Sequence, residues 1–166
     1  MSDLIPEDLP HADEMDKGVL GRTVDNLPSN PAEFEIDVVP NPVQNKAYFA
    51  RFTVPEFTSL CPKTSQPDFA TIYIDYIPRD HLIESKALKL FMYSFRSHGA
   101  FHEECVNTIA RRLWDAAKPQ WLRVVGIFNP RGGIPIDVMT HAGVLPDHIR
   151  EYQVPPMPMP QYDKPR

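Results

Sequence analysis

The fold class follows from a short alternating stretch, Phe69-Ala70-Thr71-Ile72-Tyr73-Ile74-Asp75-Tyr76-Ile77. Successive side chains of a β-strand point to opposite faces of a sheet, so every second residue shares a face. One face would therefore carry Ala70, Ile72, Ile74 and Tyr76. The pattern predicts a strand whose apolar face is buried against other elements.

Beyond this strand the apolar residues recur every three or four positions, which is the period of a helix. Two such runs are present, Leu88, Phe91, Met92, Phe95 and then Cys105, Val106, Ile109, Ala110, Leu113, Trp114. A break at Ser97-His98-Gly99 separates the two predicted helices. Further strands are predicted at 46–54, 121–128 and 134–140. The order β-β-α-α-β-β predicts an α+β fold, with an antiparallel sheet and two helices on one face.

Composition limits the classes of function. The chain has 166 residues, with 17 Lys and Arg against 22 Asp and Glu, for a formal net charge of −5. An acidic surface does not attract phosphate backbones, so we expect no direct nucleic-acid partner. Two cysteines make no disulfide framework and favour a reduced, cytoplasmic protein. No apolar run approaches the about 20 residues that span a bilayer, so we expect no membrane partner.

The chain divides into three segments. Residues 1–32 are polar and acidic, predict a partly disordered arm and lack the basic start of a signal peptide. Residues 33–152 hold the predicted strands and helices and form the expected domain. Residues 153–166 are rich in proline and cannot be helical. We expect this tail to run extended over a surface of its own chain or of a neighbour.

One cysteine lies in a polar turn between the first two predicted strands. Cys61 is followed by Pro62 and Lys63, and Asp68 comes seven positions later. A thiolate is the reactive form of cysteine, and a positive neighbour such as Lys63 would favour it. Asp68 could deliver or accept a proton if the turn folds back on itself. Spacing alone leaves two readings open, a nucleophile and a small packing residue.

The first helix carries a basic face. Lys86, Lys89, Tyr93 and Arg96 recur at helical spacing opposite the apolar run. Such a face at a helix start could bind a phosphate-bearing ligand, although a solvated amphipathic helix has the same pattern. No glycine-rich phosphate loop is present, so a nucleotide would bind outside a Rossmann domain.

Ionisable residues are concentrated where the second helix begins. His98, His102, Glu103 and Glu104 lie there, and Cys105 follows on the apolar stripe, where we expect it to be a core residue. His98 and His102 are four apart, but Gly99 breaks the single helix that a metal site at this spacing needs. The glutamates would interact favourably with the positive end of the helix dipole. A pocket glutamate would instead suit a ligand with paired N–H donors, such as a guanine-like edge.

Three of these motifs together resemble one family. They are the stretch 57–77 with Cys61 and Asp68, the element Glu84-Ser85-Lys86-Ala87-Leu88-Lys89, and the run Phe95-Arg96-Ser97-His98-Gly99-Ala100-Phe101-His102-Glu103. In order and content they resemble the short, single-domain NADPH-dependent 7-cyano-7-deazaguanine reductases, the nitrile reductases of queuosine biosynthesis. The resemblance covers about residues 40–145. It implies a tunnelling fold, in which subunits join their sheets into rings and the sites lie between subunits.

The resemblance also implies roles for residues. Cys61 would attack the nitrile carbon to form a covalent thioimide, and Asp68 would protonate the nitrile nitrogen. The reduction to 7-aminomethyl-7-deazaguanine would then use two NADPH. The deazapurine substrate would be bound by Ile83, Glu84, Ser85, His102 and Glu103. The cofactor would be bound by Lys86, Lys89 and Arg96. The family implies a decamer of two pentameric rings, and we expect no catalytic metal.

Two other classes of function use related architectures. A zinc-dependent enzyme similar to a GTP cyclohydrolase would need a Cys/His metal set, which is hard to assemble with Cys105 in the core. A non-catalytic ring protein that binds purines or pterins would keep the Glu103 pocket without the pair of Cys61 and Asp68. Both members of that pair are present.

Overall fold

A computed structural model describes residues 26–146 and the single positions 149, 154 and 156. Most of the predicted N-terminal arm (1–32) and of the C-terminal tail (153–166) lies outside the described residues. The strands are β1 (Val38–Pro40), β2 (Ala50–Leu60), β3 (Pro67–Ile77), β4 (His81–Ile83), β5 (Trp121–Arg131) and β6 (Ile134–Gly143). The helices are α1 (Ser85–Tyr93), a 3₁₀ helix (Ser94–Ser97) and α2 (His102–Ala117). None of these helices is long and apolar enough to cross a membrane.

The main sheet has four strands in the order β2-β3-β5-β6, and every neighbouring pair is antiparallel. This confirms the predicted antiparallel sheet and its mixed α+β class. The strands β1 and β4 form a separate two-stranded sheet that the sequence did not predict. Each has only three residues, which is too short for an alternating pattern to be recognised.

The core lies between one face of the main sheet and the two helices. Ile72 and Ile74 of β3 are fully buried, as the alternation predicted, and they join one cluster with Phe91 of α1 and Ile109 of α2. Cys105 belongs to the same cluster with no exposed surface, which confirms it as a core residue. Burial also raises the pKa of its thiol to about 11.

The hairpin of β2 and β3 is longer than predicted. The expected strands were 46–54 and 69–77, with a polar turn between them, but pairing continues to Leu60 and Pro67. Burial still alternates along this extension, because Phe57 and Ser59 are both buried. Ser59 is therefore a buried strand residue, opposite Asp68. The predicted loop was wrong at its first residues because small polar side chains hid the strand period.

The segment between the helices is attached to this hairpin. The Leu60 backbone N–H donates to the His98 carbonyl at 3.0 Å, and the Ala100 N–H donates to the Leu60 carbonyl at 3.1 Å. These two bonds form a parallel bridge between Leu60 and Gly99. The bridge fixes the start of α2 beside the end of β2.

Candidate active site

Cys61 begins the tight connection between β2 and β3. Its N–H donates to the Gln66 carbonyl at 2.8 Å, and its own carbonyl accepts from the Ser65 N–H at 2.9 Å. Ser65 takes the left-handed conformation, with φ of 55°, which lets the chain reverse within a few residues. The turn folds back on itself and leaves the Cys61 side chain partly exposed.

The surroundings of Cys61 favour its thiolate. Its pKa is lowered from 9.0 to about 6, first by a hydrogen bond from the Thr64 side chain, then by the backbone N–H groups of Lys63 and Thr64, and further by Arg131. Hydrogen bonds to a charged form stabilise that form. The sequence had credited the charge of Lys63, whereas here the backbone of Lys63 is the contributing group.

Asp68 lies at the start of β3, on the buried face of the hairpin. Only 3% of the residue is exposed. Its Oδ2 is 3.2 Å from His102 Nε2, and its Oδ1 is 3.0 Å from Arg131 Nη1. These are ion-pair distances, but neither contact has hydrogen-bond geometry, and both carboxylate oxygens lack a hydrogen-bond partner among the described residues. Both carboxylate oxygens are therefore open to a hydrogen bond from a ligand.

His102 is the first residue of α2 and is held from two sides. Its ring stacks on Phe128 at 3.9 Å between centroids, with 11° between the planes. Its Nε2 lies near the Asp68 carboxylate and also 3.3 Å from Arg131 Nη2. Nε2 can donate to the carboxylate only when it carries a proton, and accept from the guanidinium only when it does not. Whether Nε2 carries a proton therefore decides whether His102 can donate to Asp68 or accept from Arg131.

Glu103 is the next residue of α2 and is exposed, as is Glu104. Both lie in the first turn of a helix whose N-cap residue, Phe101, makes no side-chain capping hydrogen bond. The positive end of the helix dipole stabilises carboxylates at this position. The exposed carboxylate of Glu103 lies one residue from His102 and is available to accept paired N–H donors of a ligand.

The predicted substrate residues before α1 have different surroundings. Ile83 and Glu84 are buried. Glu84 is the N-cap of α1, where its carboxylate accepts from the backbone N–H groups of Lys86 at 2.8 Å and Ala87 at 2.6 Å. Ser85 is exposed. The side chain of Glu84 therefore stabilises the helix start, and the exposed Ser85 is the member of this trio open to a ligand.

A groove of about 290 Å³ runs between the edge strand β2 and the first helical segment. Its floor includes the apolar side chains of Phe52, Phe57, Leu88 and Met92. Its rim carries polar and charged groups, Ser85, Lys89, Tyr93, Arg96 and Glu56. The Arg96 guanidinium lies 5.0 Å from the centre of the Tyr93 ring.

The predicted site residues thus form two groups within one chain. The first, the Cys61 group, consists of Cys61, Asp68 and His102: Asp68 and His102 are in contact, and Cys61 lies at the end of the same hairpin as Asp68. Lys89 and Arg96 line the groove together with Ser85, whereas Lys86 does not line it. None of the residues lining the groove belongs to the first group. Phe57, the groove residue nearest to Cys61 in the chain, is four positions away, about 13 Å along an extended strand.

Two contributors to the first group were missed by the sequence reasoning. Thr64 follows Cys61 by three residues, and its hydroxyl could have been recognised as a donor to the sulfur. Arg131 gave no such signal, because it is separated from Cys61 by the whole of both helices and lies beside a turn of two glycines. Within residues 26–146, no three His, Cys, Asp or Glu side chains are grouped so that they could hold a metal ion.

Comparison with known proteins identifies many relatives. A family model described as "QueF-like protein" matches residues 67–145. The NADPH-dependent 7-cyano-7-deazaguanine reductase of Ruegeria sp. (strain TM1040) is 57% identical over 78% of this chain and 86% of its own length. The enzyme of the same name from Nitrobacter hamburgensis is 48% identical over 95% of this chain and 98% of its own. That from Bradyrhizobium sp. (strain BTAi1) is 58% identical, over 76% and 80% respectively.

A solved structure supports the fold. The apo archaeosine synthase QueF-Like matches with a TM-score of 0.55 and 22% identity, over 59% of this chain and 96% of that chain. At this identity the match bears on the fold alone. The sequence relatives are far closer, and the chain covers most of their length. On that evidence, the chain belongs to the family of NADPH-dependent 7-cyano-7-deazaguanine reductases.

Proposed function

We propose that this chain reduces the nitrile of 7-cyano-7-deazaguanine to an aminomethyl group with NADPH, and that Cys61 is the nucleophile. The observation that carries the chemistry is the pairing, within one hairpin, of a thiol whose pKa is lowered to about 6 with a buried carboxyl group. A soft nucleophile and a proton donor are what addition to a nitrile requires.

The first step is the addition of the thiolate. The Cys61 sulfur bonds to the nitrile carbon, one π bond of the C≡N group breaks, and the nitrogen takes a proton from the Asp68 carboxyl group. The product is a neutral thioimide beside a carboxylate. The proton that Asp68 delivers replaces the one that Cys61 lost on becoming a thiolate, so the step needs no outside acid.

The same low pKa of Cys61 assists the later departure of the sulfur. A thiol of lower pKa is a better leaving group, so expulsion of the Cys61 thiolate from a reduced intermediate is favoured. His102, 3.2 Å from Asp68, can return a proton to the carboxylate for the second half of the reaction. The exposed carboxylate of Glu103 would hold the deazaguanine edge, with Ser85 and the Ile83–Glu84 backbone as further contacts.

The cofactor fits the groove between β2 and α1. NADPH, when bound, would supply one hydride, so conversion of a nitrile to an amine consumes two NADPH. Lys89 and Arg96 provide positive charge for its phosphates, and the apolar floor suits a planar ring. We assign Lys86, in the first turn of α1, to the same phosphate-binding element. The groove holds only part of a dinucleotide, because its volume of about 290 Å³ is at the lower end for ligand sites.

The separation of the two residue groups supports an oligomer. We propose that the groove of one subunit faces the Cys61 group of the next, in a decamer of two pentameric rings. Among the described residues, β2 and β6 each pair with one strand only, and such edges are suited to joining the sheets of neighbouring subunits. Both described thiols are free, which supports a reducing, cytoplasmic setting. The proposal includes no nucleic-acid partner, because the product is a free base and the net charge is −5.

A mass measurement tests the nucleophile. Without NADPH, the protein mixed with 7-cyano-7-deazaguanine should gain the mass of the whole substrate, and peptide mapping should place that mass on Cys61. Cys61→Ala should gain nothing, because the thioimide cannot form, and Cys105→Ala should behave as the unchanged protein does. NADPH oxidation by Cys61→Ala after addition of the nitrile would refute the mechanism.

A further inference from the structure

Arg131 approaches the Cys61 group from the neighbouring strand β5, whose end lies beside the start of β3. It is the last residue of β5 and precedes Gly132 and Gly133, whose φ angles of 59° and 80° make the turn into β6. Its side chain is 45% exposed. No other residue of β5 or β6 is among the causes of the lowered Cys61 pKa.

The guanidinium contacts all three members of the Cys61 group. Nη1 lies 3.0 Å from Asp68 Oδ1, and Nη2 lies 3.3 Å from His102 Nε2. A hydrogen bond from Arg131 is also among the causes that lower the Cys61 pKa. The guanidinium has five N–H groups in a planar fork and accepts no hydrogen bond, so one arginine can approach three acceptors at once.

The contacts have a geometric consequence. Cys61 and Asp68 come from the two ends of one turn, and His102 comes from the start of α2. The His102 ring stacks on Phe128, and the Arg131 guanidinium lies against both Asp68 and His102. Besides Arg131, the groups that lower the Cys61 pKa are Thr64 and the backbone of Lys63.

We propose that Arg131 is a positioning residue, which aligns the Cys61 sulfur and the Asp68 carboxyl group for attack on the nitrile. It binds the thiolate with one part of its fork and turns the carboxyl group towards the same side with another. The role of Asp68 as the acid rests on the proposed function, whereas the contacts of Arg131 around the Cys61 thiol do not depend on it. A lysine at this position would keep the charge without the fork and would align only one partner.

The first test needs neither substrate nor cofactor. The rate of Cys61 alkylation by iodoacetamide is measured against pH for the unchanged protein, Arg131→Met, Arg131→Lys and Lys63→Met. Arg131→Met should move the midpoint upward by about one unit, and Arg131→Lys should move it less. Lys63→Met is the matched control and should leave the midpoint in place, because its backbone N–H remains. A midpoint that stays with Arg131→Met, or moves equally with Lys63→Met, overturns the proposal.

The second test separates positioning from binding. Thioimide formation should be roughly tenfold slower in Arg131→Met. Non-covalent affinity for the nitrile, measured in a Cys61→Ala background, should change little. If Arg131→Met raises only the KM for NADPH and forms the adduct at the normal rate, Arg131 serves the cofactor and the proposal is wrong. Equal thermal midpoints of the variants show that each is folded, and an exposed side chain in a turn makes this the expected result.

Discussion

Two thiols of the same chain have opposite chemistry because their surroundings differ. Cys61 lies at the mouth of a turn whose hydroxyl and N–H groups stabilise its thiolate, while Cys105 is enclosed by apolar side chains. Residue type and spacing left Cys61 open between two readings. The turn geometry favours the nucleophile, because three kinds of hydrogen-bond donor stabilise its thiolate and a packing residue needs none of them.

This difference predicts selective labelling. Iodoacetamide should label Cys61 with a midpoint near pH 6, because its pKa is lowered to about 6 and the reactive thiolate predominates above that value. Cys105, with a pKa raised to about 11 and no exposed surface, should stay unlabelled in the folded protein at neutral pH. Peptide mapping after timed labelling distinguishes the sites. A Cys61 midpoint near 9 would contradict the stabilising role of the turn.

The role of Asp68 can be separated from substrate binding. Asp68→Asn keeps the shape of the side chain but cannot supply a proton, so it should slow thioimide formation by about 100-fold or more. Affinity for the nitrile should change far less, because a general acid acts on the chemical step. Stopped-flow adduct formation and equilibrium binding in a Cys61→Ala background measure the two quantities. Equal adduct rates in the two proteins would remove Asp68 from the role.

At the scale of elements, the apolar periods predicted the long strands and both helices. The strand at 69–77 could be predicted because its apolar residues alternate. The break at Ser97-His98-Gly99 could be predicted because the helical repeat is interrupted there. The contact of Arg131 with Asp68 could not be predicted from the sequence. It joins β5 to β3, which are separated in the chain by both helices, and it depends on the order of the strands in the sheet. The capping role of Glu84 was also missed, although its position before an apolar run is typical of a cap.

At Gly126 of β5, helix α2 packs closely against the sheet. A Cβ atom there would lie 2.7 Å from Val106 Cγ2 and 2.9 Å from the Phe128 ring. Gly126→Ala should therefore lower the free energy of unfolding by about 1–3 kcal/mol. It should also reduce activity by displacing Phe128, which supports His102. Urea unfolding measures the first effect.

Gly99→Ala is the matched control for this change. Its Cβ atom would meet Pro62 Cα at 3.4 Å, an ordinary contact, and Gly99 has no positive φ. The free energy of unfolding should stay within about 1 kcal/mol of the unchanged protein. Equal losses in both variants would mean that Gly126 has no special packing role.

At the scale of the whole molecule, the two residue groups predict sites shared between subunits. Cys61→Ala and Lys89→Ala should each be nearly inactive alone. When they are dissociated, mixed and reassembled, random pairing should restore part of the NADPH oxidation, because some sites combine an intact thiol with an intact groove. Native mass spectrometry should show ten times the mass of the 19.0 kDa chain. If mixing restored no activity in such decamers, each site would belong to a single chain.

The bridge at Leu60 sets how the enzyme fails. This residue uses both its N–H and its carbonyl to hold the segment from His98 to Ala100, so strand end and helix start are released together or not at all. Heat or denaturant should therefore produce no population that still recognises the base yet has lost its nucleophile. Partial unfolding would therefore reduce the number of active sites, and each remaining site would keep its normal selectivity for the base. Total activity in the cell would fall while substrate selectivity stayed unchanged.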